Sequence, residues 1–244
     1  YADDICWVGM NCSHNIDDIK DTVPSVLEAR NLQVNEEKTE EYHIMKYGQD
    51  DSWKRCKYLG TLLDTTEDIK RRKGLANGAM ERIKHISKDK RLPTKTKIRA
   101  FNAYTSSVFL YNSETWTVSK TTADGIDSFH RRQMRNAINI KWPKKISNIR
   151  LYEETKQAPW SLTIQKRRLR LYGHIMRLPE TTPVRMALQE YDRPLKMSRG
   201  GPKTTWGKTI KNDLTKLNID RQKADELVGD RKQWRRLVHS VEAG

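Results

Sequence analysis

Two carboxylates stand side by side at Asp3 and Asp4, in the run YADD, against an apolar stretch at residues 5–8. Adjacent aspartates on a tight turn supply hard oxygen ligands, the type that Mg²⁺ takes. Two such metals about 4 Å apart can activate a hydroxyl nucleophile and stabilise a departing pyrophosphate. Aspartate is equally at home in an ordinary solvated turn, where its side chain bonds the local backbone. The pair by itself fits both readings. Cys6, Cys12 and His14 lie nearby, but no fourth ligand follows at the spacing zinc requires.

The other chemistry in the chain is cationic. Formal net charge is +16, and it is spread unevenly. Residues 1–64 hold 7 Lys and Arg against 13 Asp and Glu, and the remainder holds 40 against 18. An acidic head before a strongly basic body points to a polyanionic partner for the body. Arg71, Arg72 and Lys73 form one cluster. Lys166, Arg167, Arg168, Arg170 and Arg177 accompany Leu171, Ile175 and Leu178, which recur at helical spacing. A cationic flank beside an apolar face suits gripping phosphates without reading sequence. A solvated charged surface is the other reading of that pattern.

Arg199 and Lys203 sit in PLKMSRGGPK, too rich in Pro and Gly for a helix and read as a basic linker near 194–204. Its RGGP is similar to the RGRP core that reads A·T minor grooves, but Gly201 replaces the second Arg. His174, in LYGHIM, has no Cys or acid close in sequence and reads as a packed or phosphate-facing residue.

Mean hydropathy is −0.87, polar for a folded protein. Seven Trp in 244 residues nevertheless argue for a buried core. No apolar run approaches the roughly 18 residues of a membrane-spanning helix. Three cysteines, Cys6, Cys12 and Cys56, point to a reduced intracellular compartment, with nucleus and cytoplasm as the expected locations.

The elements that must position these groups fall into two regimes. Residues 1–64 read as mixed α/β. A strand at 5–8 ends at Gly9, and a helix capped by Ser13 or Asn15 carries Ile16, Ile19, Val23 and Leu27 on one face. Pro24 should kink or divide that helix. LQVN, EYHIMKY and CKYLGTLL are strand-like runs. The strand at 5–8 needs a neighbour for its backbone groups, expected upstream of Tyr1.

From Thr65 the period becomes helical. A first helix has a face of Ile69, Leu75, Met80, Ile83 and Ile86. A second, from Pro93 and Thr94, has Ile98, Phe101, Tyr104, Val108 and Tyr111. A third has Ile126, Phe129, Met134 and Ile138, and ends before Pro143. Further helices are expected at 148–157, 160–178, 181–190, 205–218 and 221–241. Trp116, Trp142, Trp160, Trp206 and Trp234 lie near helix ends, where they are expected as packing anchors.

In chain order, YADD, NLQVNEEKTE (31–40), KYLGTLLD (57–64), RRLRLYGHIMRLPE (167–180), RGGPKTTWGKTIKNDL (199–214) and RKQWRRLV (231–238) resemble one family. It is the endonuclease-reverse transcriptases of non-LTR, LINE-like retrotransposons, from the back half of the palm through the thumb to the tail. The likeness covers nearly the whole chain. It implies an α+β fold: a residual palm and primer-grip region at 1–64, a helical thumb at 65–142, and a basic helical tail at 143–244.

It also implies RNA-directed DNA polymerase chemistry, a nucleotidyl transfer from dNTPs onto a primer 3′-hydroxyl. Asp3 would be the principal Mg²⁺ ligand and Asp4 its partner, with Tyr1 and Ala2 beside the primer end and the incoming nucleotide. Lys38 of NEEKT would lie near the nucleotide phosphates, as a general acid for pyrophosphate. Tyr58, Leu59 and Gly60 would position the primer backbone. RNA template, DNA primer or target, and their hybrid are the implied partners, with no membrane.

The family's third metal-binding aspartate, its fingers and its template grip belong upstream of YADD. This polypeptide by itself is therefore expected to lack polymerase activity. No cysteine follows Cys56, so the Cys-Cys-His-Cys knuckle of some relatives is missing. The alternatives are a non-catalytic nucleic-acid-binding helical protein derived from such an element, and a basic protein-interaction module.

Overall fold

The computed structural model describes residues 13–42, 51–192 and 204–241. The strand expected at 5–8 and most of EYHIMKY lie outside them. The chain divides into two compact units between Glu67 and Asp68.

In the first unit, helix α1 spans Ser13–Glu28 with Pro24 inside it. The proline removes one backbone donor, yet the helix runs on for four residues. Its end comes at Asn31, in the left-handed region at φ 58, with the Leu32 N–H donating back to the Leu27 carbonyl. Asn tolerates that conformation, so it serves as a stop signal. LQVN, expected as a strand, is instead an exposed connection to a single 3₁₀ turn, Glu36–Lys38. No strand pairs with it among the described residues.

Strands β1 (Lys57–Tyr58) and β2 (Thr61–Leu62) form an antiparallel hairpin, pairing Lys57 with Leu62 and Tyr58 with Thr61. Leu59 and Gly60 make the turn with φ of 46 and 77. Positive φ at both central positions matches the right-handed twist of the strands. Asp64 then accepts the Glu67 N–H at 2.9 Å and caps the next helix.

The second unit is helical. It comprises α2 (Thr65–Arg82) from Asp68 onward, α3 (Lys84–Lys88), α4 (Thr94–Phe101), α5 (Ser107–Phe109), α6 (Lys120–Ala137), α7 (Asn148–Thr155), α8 (Trp160–Met176), α9 (Pro183–Asp192), α10 (Trp206–Lys216), α11 (Arg221–Gly229) and α12 (Arg231–Ser240). The chain is thus mainly helical, with one two-stranded sheet among the described residues.

Two cores hold this unit. One gathers Ile69, Met80, Phe101, Phe109, Trp116, Ile126 and Leu151, and the other Ile210, Leu214, Val228, Trp234 and Val238. Helix α8 serves both, giving Trp160 and Ile164 to the first and Leu169, Tyr172 and Ile175 to the second. It is the shared spine of the unit.

Three expectations are revised. On α2 the inward face runs Ile69, Arg72, Ala76, Ala79 and Met80, while Leu75 is 44% exposed. Small alanines carry the face that the larger leucine was expected to carry. The second expected helix contains a π segment, Asn102–Ser106, before α5. Its wider turn shifts the phase of the residues after it. Phe109 and Leu110 therefore face the core, and Tyr104 and Tyr111 are exposed. The single helix expected at 221–241 is two, because the Asp230 carboxylate accepts the N–H groups of Lys232 and Gln233 at 2.7 and 3.2 Å and starts α12 afresh.

Candidate nucleic-acid interface

Tyr1, Ala2, Asp3, Asp4, Arg199 and Lys203 lie outside the described residues, as do Cys6 and Cys12. Among the described residues no group of three or more His, Cys, Asp or Glu is placed to hold a metal ion. No helix there is long and apolar enough to cross a membrane.

Lys38 ends a turn that explains the spacing of NEEKT. Asn35 Oδ1 accepts the Lys38 N–H at 3.1 Å, and the Thr39 hydroxyl donates to the Asn35 carbonyl at 2.9 Å. Asn and Thr brace the two ends, and the Lys38 side chain is left exposed. Tyr58, Leu59 and Gly60 sit at the tip of the β1–β2 hairpin. Leu59 is 38% exposed.

The cationic clusters are mostly engaged within the fold. Asp68 is fully buried on α2, accepts the Trp116 indole N–H at 2.9 Å, and lies 3.6 and 3.7 Å from Arg71 and Arg72. Arg72 is itself buried, donates to the Val108 carbonyl at 3.2 Å, and covers the Tyr111 ring at 4.8 Å. Desolvation holds its pKa below the ordinary guanidinium range against the pull of Asp68. Lys73 lies over the Phe129 ring at 5.8 Å.

On α8 the pattern is stronger. Arg168 is buried with Asp213 of α10, Nη2 to Oδ2 at 2.7 Å. Desolvation pushes the Asp213 carboxyl up, and Arg168 opposes it. Lys166 donates to the His239 carbonyl, Arg167 to that of Leu110, and Arg177 to that of Val228. These acceptors stand at or next to the C-termini of α12, α5 and α11, where helices leave carbonyls without partners and carry partial negative charge. Lys97 does the same for Ser87 at the end of α3 (2.8 Å), and Arg185 for Met176 and Leu178 at the end of α8 (2.8 and 2.5 Å). Part of the positive charge is thus structural, spent on tertiary helix caps.

What remains outward on α8 is Arg170 and His174, one turn apart and both exposed, and Arg177 at the helix end continues the row while it donates to the Val228 carbonyl. Arg170 makes no hydrogen bond or ion pair with another described residue. Desolvation and the nearby charge of Arg231 lower the pKa of Arg177, so this end of the row is a concentration of like charge. His174 is exposed and is not paired with an acid among the described residues.

Of the five tryptophans expected as packing anchors, four anchor packing or bonding. Trp116 donates to Asp68, Trp206 to the Glu114 carbonyl (2.8 Å) and Trp234 to the Leu169 carbonyl (3.0 Å), while Trp160 stacks between Phe109 and His130 with centroids at 4.3 and 4.4 Å. Trp142 departs from the expectation, being 85% exposed between α6 and α7. Its flanking lysines were the available signal.

No protein-family model, no curated protein and no solved structure matches the chain.

Proposed function

We propose that this chain carries the end of the palm, the thumb and the basic tail of a non-LTR retroelement reverse transcriptase. Its helical unit binds template–primer nucleic acid through outward cations. The observation that carries this is the order of the runs YADD, NEEKT, YLG, RRLRLYGHIMRLPE and RGGPKTTWGKTIKNDL along one chain. Two local structures support it. NEEKT closes a braced turn that leaves Lys38 in solvent, and YLG occupies the tip of a tight hairpin.

Asp3 and Asp4 are the ligands assigned to Mg²⁺, and their hard carboxylate oxygens suit that ion. When bound, the metal would supply activation of the primer hydroxyl and charge stabilisation of pyrophosphate. Lys38 would hold a proton for the leaving group, and Tyr58, Leu59 and Gly60 would orient the primer strand.

Binding of the full chain to RNA–DNA hybrid and to DNA duplex across a salt series tests the proposal. Affinity should fall steeply, with a slope of log K against log salt of about −0.9 for each phosphate neutralised on duplex. A slope near zero overturns it and favours a protein-interaction module. Templated incorporation in primer extension with Mg²⁺ or Mn²⁺ would overturn the expectation that this polypeptide is inactive by itself.

A further inference from the structure

We propose that Trp142, with Lys144 and Lys145, forms a stacking site for an unpaired base of single-stranded nucleic acid. It deepens the nucleic-acid reading above and rests on it. A tryptophan 85% exposed is unusual, because its large apolar surface is ordinarily withdrawn from water.

The segment presenting it is braced. The Arg135 Nη2 donates to the Ile146 carbonyl at 3.3 Å and to Asn148 Oδ1 at 2.7 Å, and the Ile140 N–H donates to the Arg135 carbonyl at 2.8 Å. Ile138 and Ile146, on either side of Trp142, pack against the first core. The connection between α6 and α7 is therefore tied at both ends, with the indole held outward between the ties.

A cleft of about 320 Å³ opens there, lined by Arg135, Ile140, Trp142, Lys144, Lys145 and Ile146. Its lining is apolar and cationic with no carboxylate. Between Asp127 and Glu153 the chain has no acidic residue and seven basic ones: Arg131, Arg132, Arg135, Lys141, Lys144, Lys145 and Arg150. Lys144 and Lys145 form no ion pair with another described residue.

A planar apolar platform beside free cations is the arrangement that takes a base on the ring and its phosphates on the lysines. A paired base offers no free face to such a ring, so the site favours unpaired nucleotides. Backbone charge alone would not need the tryptophan.

The test is a fluorescence-anisotropy titration of the full chain with a labelled oligothymidylate of about 12 nucleotides and with a hairpin duplex of similar charge. Trp142→Ala should lower affinity for the single strand by about tenfold or more, with duplex affinity changed less than about twofold. Trp142→Phe should retain most of the single-strand affinity. Lys144→Ala with Lys145→Ala should reduce the single-strand salt slope by about one.

Trp142 is outside both cores, so the variants should keep the wild-type helical circular dichroism. Single-strand affinity unchanged in Trp142→Ala overturns the inference, and intact duplex binding then leaves the broader proposal standing. Loss of duplex and single-strand binding alike in Trp142→Ala overturns the selectivity for unpaired bases alone, and no nucleic-acid binding by the wild type overturns both. Equal, Trp142-dependent binding of polyglutamate assigns the cleft to acidic peptides and overturns the base-stacking inference alone.

Discussion

The indole of Trp234 lies against the backbone of Gly173, so that a Cβ placed at residue 173 would meet Trp234 Nε1 at 2.1 Å and Cδ1 at 2.5 Å. The same nitrogen donates to the Leu169 carbonyl, one turn earlier on α8. The glycine of LYGHIM is therefore the docking notch for α12. Gly173→Ala should lower stability by about 3 kcal/mol, since neither a rigid indole nor a helix backbone yields cheaply. In urea denaturation, combining it with Trp234→Leu should be strongly non-additive, because both changes act on one contact. Simple additivity would remove the notch.

Arg168 and Asp213 are both buried and bonded at 2.7 Å across α8 and α10. Breaking one side strands the other charge away from water. Arg168→Ala should cost about 3–5 kcal/mol, while Arg168→Met with Asp213→Leu should recover most of that loss. Thermal and urea unfolding of the singles and the double close the cycle. A double variant as unstable as the worse single would mean that the pair contributes more than its own desolvation cost.

His130 is 1% exposed, stacked on Trp160, and neither ring nitrogen has a hydrogen-bond partner among the described residues. Burial, with the charge of Arg131 adding to it, pushes its pKa down to about 3. The unfolded chain takes the proton near pH 6.5, well before the folded one. The stability this histidine allows is complete above pH 6.5 and falls as pH drops toward 3. Linkage gives a loss of about 2 kcal/mol between pH 7.5 and 5. His130→Leu should be nearly neutral at pH 7.5 and should flatten the profile by that amount in urea titrations. Parallel profiles for wild type and variant would contradict this.

Leu59 holds a left-handed φ of 46 at the hairpin tip, beside Gly60. A β-carbon in that region costs about 1 kcal/mol, and Asn-Gly is the pair the turn prefers. Leu59→Asn should stabilise the hairpin by that order, read as slower exchange of the Leu63 amide that donates to Cys56. If the leucine is kept for contact with a primer strand, the same variant should bind hybrid more weakly. Faster amide exchange would show that Leu59 packing outweighs the strain.

The helical regime after Thr65 and most of its helices were legible because apolar spacing records which face is buried. The misreadings have local causes. Alanines carry little hydropathy signal, so apolar spacing runs the α2 face through Leu75 rather than Ala76. A π segment changes the period itself, which hid the outward turn of Tyr104. The split at Asp230 was visible as a cap residue after Gly229, but the run on either side looked continuous. For the site, charge showed that the body is basic but not which cations are free. A side chain that reaches a distant helix end, as Lys166 reaches His239 and Arg177 reaches Val228, leaves no mark in sequence spacing.

That division of the cations is itself testable on α8. Arg170 is exposed with no described partner, whereas Arg167 donates to the Leu110 carbonyl behind α5. Arg170→Ala should leave stability within about 0.5 kcal/mol, as exposed substitutions generally do. It should weaken duplex binding, with a salt slope reduced by about 0.9 if it holds one phosphate. Arg167→Ala removes a charged donor from a helix end and should cost about 2 kcal/mol, with a salt slope close to that of wild type. Unfolding midpoints and salt-series titrations on the two variants give four numbers. A large stability loss at Arg170 together with a reduced salt slope at Arg167 would reverse the assignment of structural and binding charge on this helix.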